Sequence, residues 1–344
     1  MQGTAAVAAI GAGPFLQGFR APLFVMVLAA FVAAFATPWV MRLAVRHGAI
    51  DDPTRDDRRV HTQPTPRWGG LAIFVGILAP LALLPYWYKV NPFPPYLIAM
   101  LIGGALIVAV GMFDDVKPLN AKVQAGFLIL LGVAIQFVYD PIGRIKITGI
   151  STPLLTTQGE WVPFGVWAIP ITAIYIFVVT KTMDTLDGID GLTAGIAAIT
   201  GATLALIAAV QGQPRVALVA AAVCGASLGF LRFNYHPAKI FMGTGGAQML
   251  GFFLACLSIV GAFKTAAAVA IVVPLLAFGV PILDAVNVIV RRILGRQPIT
   301  QADKRHLHHA LLGKGLNQRQ AVWVLYVAAL GLAGVLLVLV RKFG

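Results

Sequence analysis

Charge is what this chain has least of. Only 11% of its 344 residues are Asp, Glu, Lys or Arg, where an ordinary soluble domain carries roughly a quarter. Acids are scarcest: 13 stand against 26 Lys and Arg, and Glu160 is the single glutamate. So few charges cannot clothe a surface that faces water on every side. Cysteine is nearly missing too. Cys224 and Cys256 both lie in apolar runs, which excludes a disulfide framework and favours buried, inert thiols. The stretch from Met1 to Phe19 lacks a basic n-region and an A-x-A-like site, so a cleaved signal peptide is not expected there. No internal repeat and no low-complexity tract is present.

Long hydrophobic runs fill the space that charge leaves. The chain is 59% hydrophobic, in runs of about 18–25 residues, the length a helix needs to cross roughly 30 Å of hydrocarbon. Ten spans are expected, at 22–46, 68–86, 96–113, 121–139, 163–180, 191–210, 215–232, 245–263, 266–292 and 321–340. Residues 1–19, short and interrupted by Pro14, read as a surface segment. The fold class is therefore an all-α polytopic membrane protein, with residues 1–344 as one domain.

A net charge of +13 would suggest nucleic acid in a soluble protein. Here the distribution gives a different answer, and no nucleic-acid partner is expected. The gaps after spans 1, 3, 5, 7 and 9, with the adjoining span ends, hold eighteen Lys and Arg; the other side holds eight. The positive-inside rule places the richer side in the cytoplasm. Both termini are then expected outside the cytoplasm. The outer stretch 140–162, β-branched and turn-rich, suggests a small extracytoplasmic hairpin.

Eleven of the 13 carboxylates and all six histidines fall on the cytoplasmic side, at or near span ends. Ionisable groups collected beside membrane segments mark a functional site. Five motifs make it up. In the first, Asp114 and Asp115 close a span and Lys122 and Gln124 follow. Adjacent carboxylates repel unless a cation or shared proton relieves them. Mg²⁺ suits carboxylate and phosphate oxygens, and Lys122 offers charge to a phosphate. In the second, Lys181 precedes Asp184, Asp187 and Asp190, with Gly188 and Gly191 interleaved. The glycines imply a broken helix or tight turn where backbone meets a ligand closely.

The third runs from Asn234 through His236, Lys239 and Gly243-Thr244-Gly245-Gly246 to Gln248, with a glycine-rich turn able to present N–H groups at a helix start. The fourth joins Asp284, Arg291 and Arg292 to a loop at 293–320 that carries Asp303, His306, His308 and His309. Neighbouring Lys304 and Arg305, and the lack of a Cys partner, favour phosphate contacts and proton transfer over a zinc site. The fifth, Asp51 to Gly70, is a rigid, arginine-rich, proline-bearing approach to the second span.

Together these motifs, from about Asp51 to Leu312, resemble the polyprenyl-phosphate N-acetylhexosamine-1-phosphate transferases of glycosyltransferase family 4. The H-x-H-H form of His306, His308 and His309 is similar to the branch that uses UDP-N-acetylglucosamine rather than UDP-MurNAc-pentapeptide. The resemblance implies Mg²⁺-dependent transfer of N-acetylglucosamine-1-phosphate from UDP-GlcNAc to undecaprenyl phosphate, with Mn²⁺ as an alternative metal and a homodimer as a compatible state. It implies catalytic roles for Asp114, Asp115, Asp187 and Asp190, with Asp114, Asp115 and Asp190 as metal ligands. It implies substrate contacts for Lys122, Asp184, Asn234, Asp303, His306, His308 and His309.

Three positions depart from the family pattern. Thr244 stands where an Asp metal ligand is common, and Lys181 and Asp184 stand where Asn is common. One acid disappears and one appears within the same expected site, so Asp184 is expected to restore the lost charge while Lys181 balances it. Two other classes make different predictions. A transporter predicts ionisable groups at mid-span, whereas these sit at span ends. A silent relative that binds nucleotide-sugar or lipid phosphate predicts no metal-dependent turnover.

Overall fold

The structure is a computed structural model that describes residues 13–53, 63–87, 93–139, 143–151, 161–261, 311 and 315–343. Among the described residues, eight helices are long and apolar enough to cross a membrane. In chain order, α1 (Gly13–Arg46) leads through strands β1 (Ile50–Asp51) and β2 (Thr65–Pro66) to α2 (Gly69–Leu81) and the short α3 (Leu84–Trp87). Then come α4 (Pro95–Val116), α5 (Ala121–Ala134), β3 (Gly149–Ser151) and β4 (Trp161–Pro163). The bundle is completed by α6 (Ala168–Leu186), α7 (Leu192–Val210), α8 (Pro214–Asn234), α9 (Gly243–Val260) and α10 (Gln318–Phe343).

The bundle is apolar outside as well as inside. Phe31 and Trp39 on α1 are 69% and 60% exposed, and Leu23, Phe24, Val27 and Phe35 share that stripe. On a water-soluble protein this would be an outsized hydrophobic patch. Here it is the lipid face. At the centre, α9 is buried along nearly its whole length, packed chiefly between α4 and α6.

Small residues bring the helices together. A Cβ on Gly225 would lie 1.9 Å from the Met26 carbonyl oxygen, and one on Gly229 would lie 2.1 Å from that of Ala30. Helix α8 therefore presses directly on the α1 backbone, the packing that lipid-embedded helices favour because it replaces an absent hydrophobic drive with van der Waals contact. Cys224 and Cys256 are buried and unbridged.

Several boundaries differ from those expected. Helix α1 is described from Gly13 onward, so part of the presumed surface segment is helical. Helix α4 continues to Val116 and carries Asp114 and Asp115 in its last turn. Helix α5 and the 3-10 turn after it form a shorter apolar unit, Ala121–Phe137. The expected hairpin exists as an antiparallel pair, with Ile150 opposite Val162. A second pair, Ile50 opposite Pro66 and Asp51 opposite Thr65, was not expected. The span at 266–292 and most of the loop at 293–320 lie outside the described residues.

Candidate active site

The site forms where the ends of α4, α6 and α8 meet the starts of α2, α7 and α9. Close backbone contact sets its geometry. A Cβ on Gly111 of α4 would lie 2.1 Å from the Gly245 Cα, and one on Gly70 of α2 would lie 2.3 Å from the Gly246 Cα. Any larger residue would force these helices apart.

The β1–β2 pair delivers Arg67. Its backbone N–H donates to the Ala49 carbonyl at 2.9 Å. Trp68 follows with φ of 81°, in the left-handed region that costs a bulky residue energy, and its indole N–H donates to the Met112 carbonyl at 3.1 Å. The Gly69 and Gly70 amides donate to the Phe241 and Met242 carbonyls. With its neighbours so pinned, the Arg67 guanidinium reaches Asp51 at 3.0 Å and Asp115 at 3.5 Å.

Asp115 meets the start of α9. Its Oδ1 accepts the Thr244 N–H at 3.3 Å, and its Oδ2 lies against Gly243, whose φ is 73°. A carboxylate at a helix N-terminus is favoured by unpaired amides and the helix dipole. Asp114 turns the other way. Its Oδ1 accepts the Leu119 N–H at 2.7 Å and the Gln124 side-chain amide at 2.8 Å.

Gln124 continues into the next acidic turn, accepting the Lys181 ammonium at 3.3 Å. Lys181 also pairs with Asp184, and Asp184 accepts the Gln248 amide of α9 at 3.2 Å. Four helices are thus joined by a polar chain from Asp114 through Gln124, Lys181 and Asp184 to Gln248. Asp187 follows in the turn between α6 and α7. Burial pushes its carboxyl up to about 7; the charge of Asp184 adds to this, the Thr193 hydroxyl and Arg67 oppose it, and Asp115 raises it further.

The turn itself is held from two sides. The Gly191 N–H donates to Asn234 Oδ1 at 3.1 Å, and Asn234 Nδ2 donates to the Ile240 carbonyl at 2.9 Å. From α10, the Tyr326 hydroxyl donates to the Gly191 carbonyl at 2.6 Å. Asp190 Oδ2 receives the Ala238 N–H at 3.0 Å and lies 2.7 Å from His236 Nδ1. The His236 carbonyl in turn accepts two N–H groups of Arg319.

The expected residues therefore separate. Asp114, Asp115, Asp184 and Asp187 share one linked cluster with Arg67 and Lys181. Asn234, expected to touch substrate, is 2% exposed and has both polar atoms engaged within the protein; it holds the acidic turn from beneath. Lys122 is exposed in the first turn of α5, where the Asn120 side chain accepts its N–H. Asp303, His306, His308 and His309 lie outside the described residues.

The expected metal triad is not assembled. Among the described residues no three His, Cys, Asp or Glu side chains converge as a ligand group. Asp190 is turned toward His236 and Ala238, and Asp114 toward Leu119 and Gln124. Mg²⁺ asks less of a protein: one or two carboxylates suffice when waters and substrate phosphates complete its shell. Asp115 and Asp187 fit that need: Asp187 feels the charge of Asp115, and among the described residues Arg67 and Lys181 are the arginine and lysine seen paired with the acids of this cluster. Arg67, Gln124, His236 and Gln248 stood within the motifs without assigned roles. Arg319 and Tyr326 carried no sequence signal, since their contacts join segments 83 and 135 residues apart.

Residues 97–262 match the family described as glycosyl transferase family 4. The chain is 38% identical over 291 residues to a probable undecaprenyl-phosphate N-acetylglucosaminyl 1-phosphate transferase of Bacillus subtilis, covering 85% of this chain and 77% of that protein. It is 34% identical over 338 residues to a decaprenyl-phosphate N-acetylglucosaminephosphotransferase of Mycolicibacterium smegmatis, covering 87% and 77%. A more distant similarity, 27% over 298 residues, covers 86% of the chain and 77% of an undecaprenyl-phosphate alpha-N-acetylglucosaminyl 1-phosphate transferase of Salmonella typhi.

Proposed function

The chain belongs to glycosyl transferase family 4 and is a multi-pass membrane phosphotransferase, and from that premise we propose that it transfers N-acetylglucosamine-1-phosphate from UDP-N-acetylglucosamine to undecaprenyl phosphate. The products are undecaprenyl-diphosphate-N-acetylglucosamine and UMP. One observation carries this reading: Asp115, Asp187, Arg67 and Lys181 sit together at the end of a lipid-faced helix bundle. A water-soluble diphosphate and a membrane-bound phosphate can meet at such a boundary. The proposed setting is the cytoplasmic face of the inner membrane, with both termini on the far side.

In this mechanism an oxygen of the lipid phosphate attacks the sugar-bearing β-phosphorus in line. One P–O bond forms and the bond to the departing UMP breaks. The second pKa of a phosphate monoester is near 6, so at neutral pH the attacking group is already mostly ionised. Positioning and charge neutralisation then matter more than a strong base. Asp114, fixed through Gln124 and the Leu119 amide, orients the lipid phosphate and accepts its proton when the monoanion binds. Lys181 and Arg67 present cations to the diphosphate. Asn234 and Tyr326 hold the turn that carries Asp187 and Asp190. Mg²⁺ would be held by Asp115 and Asp187, and when bound it supplies charge neutralisation of the diphosphate and the departing UMP. Lys122 and the loop residues Asp303, His306, His308 and His309 complete the proposed contacts to donor and lipid phosphate.

A transfer assay tests the proposal. Purified protein is given undecaprenyl phosphate and labelled UDP-N-acetylglucosamine or UDP-MurNAc-pentapeptide, with Mg²⁺ or EDTA. Mg²⁺-dependent labelled lipid from the first donor is expected. Label from the second donor alone would overturn the donor assignment, and label from neither would overturn the reaction.

A further inference from the structure

Arg67 occupies an unusual position for a membrane-boundary arginine. One arm of the guanidinium lies 3.0 Å from buried Asp51, while the other is 3.5 Å from Asp115. The first distance is a good charge-assisted hydrogen bond; the second is at the outer limit of one. The head is thus anchored on Asp51 and only leans on Asp115. Its backbone cannot follow a moving head, because Arg67 and the next three residues are tied to Ala49, Met112, Phe241 and Met242. What remains free to move is one arm of a planar fork on a fixed base.

That arm rests on a carboxylate suited to a divalent cation. A cation arriving at Asp115 competes directly with the guanidinium, since two positive groups cannot crowd one carboxylate without repulsion. The weaker contact gives way. Asp51 keeps the base of the fork in place, and the charge of Arg67 already reaches as far as Asp187, so a released arm stays over the same cluster of acids.

We propose that Arg67 is a displaceable counter-cation: it occupies Asp115 while the site is metal-free, and a divalent cation at Asp115 releases one guanidinium arm to donate to the donor diphosphate. The metal half of this inference stands on the ion-pair geometry. The diphosphate half rests on the reading under Proposed function. Lysine would not serve as well, because a point charge cannot hold Asp51 with one arm and offer another elsewhere.

The test is Mn²⁺ binding to full-length protein in detergent, read from the electron paramagnetic resonance signal of free Mn²⁺, without substrate or turnover. Arg67→Met should bind Mn²⁺ roughly threefold or more tightly than the unsubstituted protein, because the competing cation is gone. Asp51→Asn should bind it more weakly, because the guanidinium then leans wholly on Asp115. A general folding defect weakens binding in both variants, so the opposite signs separate competition from damage. Unchanged or weaker binding in Arg67→Met overturns the proposal. With Mn²⁺ saturating, UDP affinity measured by calorimetry should fall about tenfold or more in Arg67→Met, and recover only in part in Arg67→Lys. Equal UDP affinity in all three proteins overturns the diphosphate half. Absence of UDP binding to the unsubstituted protein would instead sink the reaction assignment and leave the metal result standing.

Discussion

The Tyr326 hydroxyl donates to the Gly191 carbonyl at 2.6 Å, tying the last helix to the turn that carries Asp187 and Asp190. Tyr326 is 7% exposed, so water does not readily replace the bond. The same helix holds the His236 carbonyl through Arg319 and the Tyr235 hydroxyl through the Trp323 indole at 3.1 Å. Helix α10 is therefore a clamp across both arms of the Asp190–His236 pair.

Tyr326→Phe removes one of the two donors to the Gly191 carbonyl, which keeps the Gly195 N–H at 3.0 Å, a loss of about 0.5–1.5 kcal/mol. Thermal unfolding should occur at lower temperature, and kcat should fall several-fold with a smaller change in KM, because Tyr326 acts through the turn that carries Asp187. A change confined to KM would show that the clamp shapes donor binding instead.

Gly111 and Gly245 approach too closely for any side chain between them. Gly111→Ala should cost several kcal/mol, as overpacking against backbone does when neither side can yield. Gly331 has open space around its Cβ position, so Gly331→Ala should be tolerated. Comparing the two by unfolding temperature and transfer rate separates the packing claim from general intolerance to alanine.

Asp184 and Thr244 stand on neighbouring parts of the site, linked through α9, whose Gln248 donates to Asp184 and whose Thr244 amide donates to Asp115. If Asp184 supplies charge that position 244 lacks, Thr244→Asp should rescue Asp184→Asn. The double variant is expected to retain at least about tenfold more activity than Asp184→Asn alone, a difference of roughly 1.4 kcal/mol in transition-state stabilisation. Equal loss in both would end the idea.

Asp187 sets a pH dependence. Its folded pKa of about 7 lies above its ordinary value of 3.8, so the folded state holds the proton more tightly than the unfolded state. Stability from this group is full below about pH 4 and is lost as pH rises toward and through 7. In EDTA the protein should therefore melt at progressively lower temperature between pH 5 and 8. Mg²⁺, which favours the ionised carboxylate, should flatten that slope. Asp187→Asn should remove most of the slope in EDTA; an unaltered slope would place its origin in another group.

Much of this was legible before the fold. The scarcity of charge, the apolar runs and the uneven Lys and Arg placed the chain in a membrane and its acids at span ends. Motif order was enough to show the family. Pairing was much less legible. Asp114 and Asp115 are adjacent in the chain, yet the first turns toward Gln124 and the second toward Arg67 and Thr244, because successive residues on a helix point about 100° apart. Asn234 looked like a substrate ligand from its motif but is spent on Gly191 and Ile240.

The sequence by itself determined that this is a multi-pass membrane protein, since transfer of apolar side chains into lipid is a local property of each run. Only the tertiary structure decided which acids face which cations. That choice depends on how closely α2, α4 and α9 approach through Gly70, Gly111, Gly245 and Gly246, and on a helix 135 residues away reaching back to Gly191. Electrostatic partnership falls off over a few ångströms, and distances that short between separate helices are set by packing rather than by spacing along the chain.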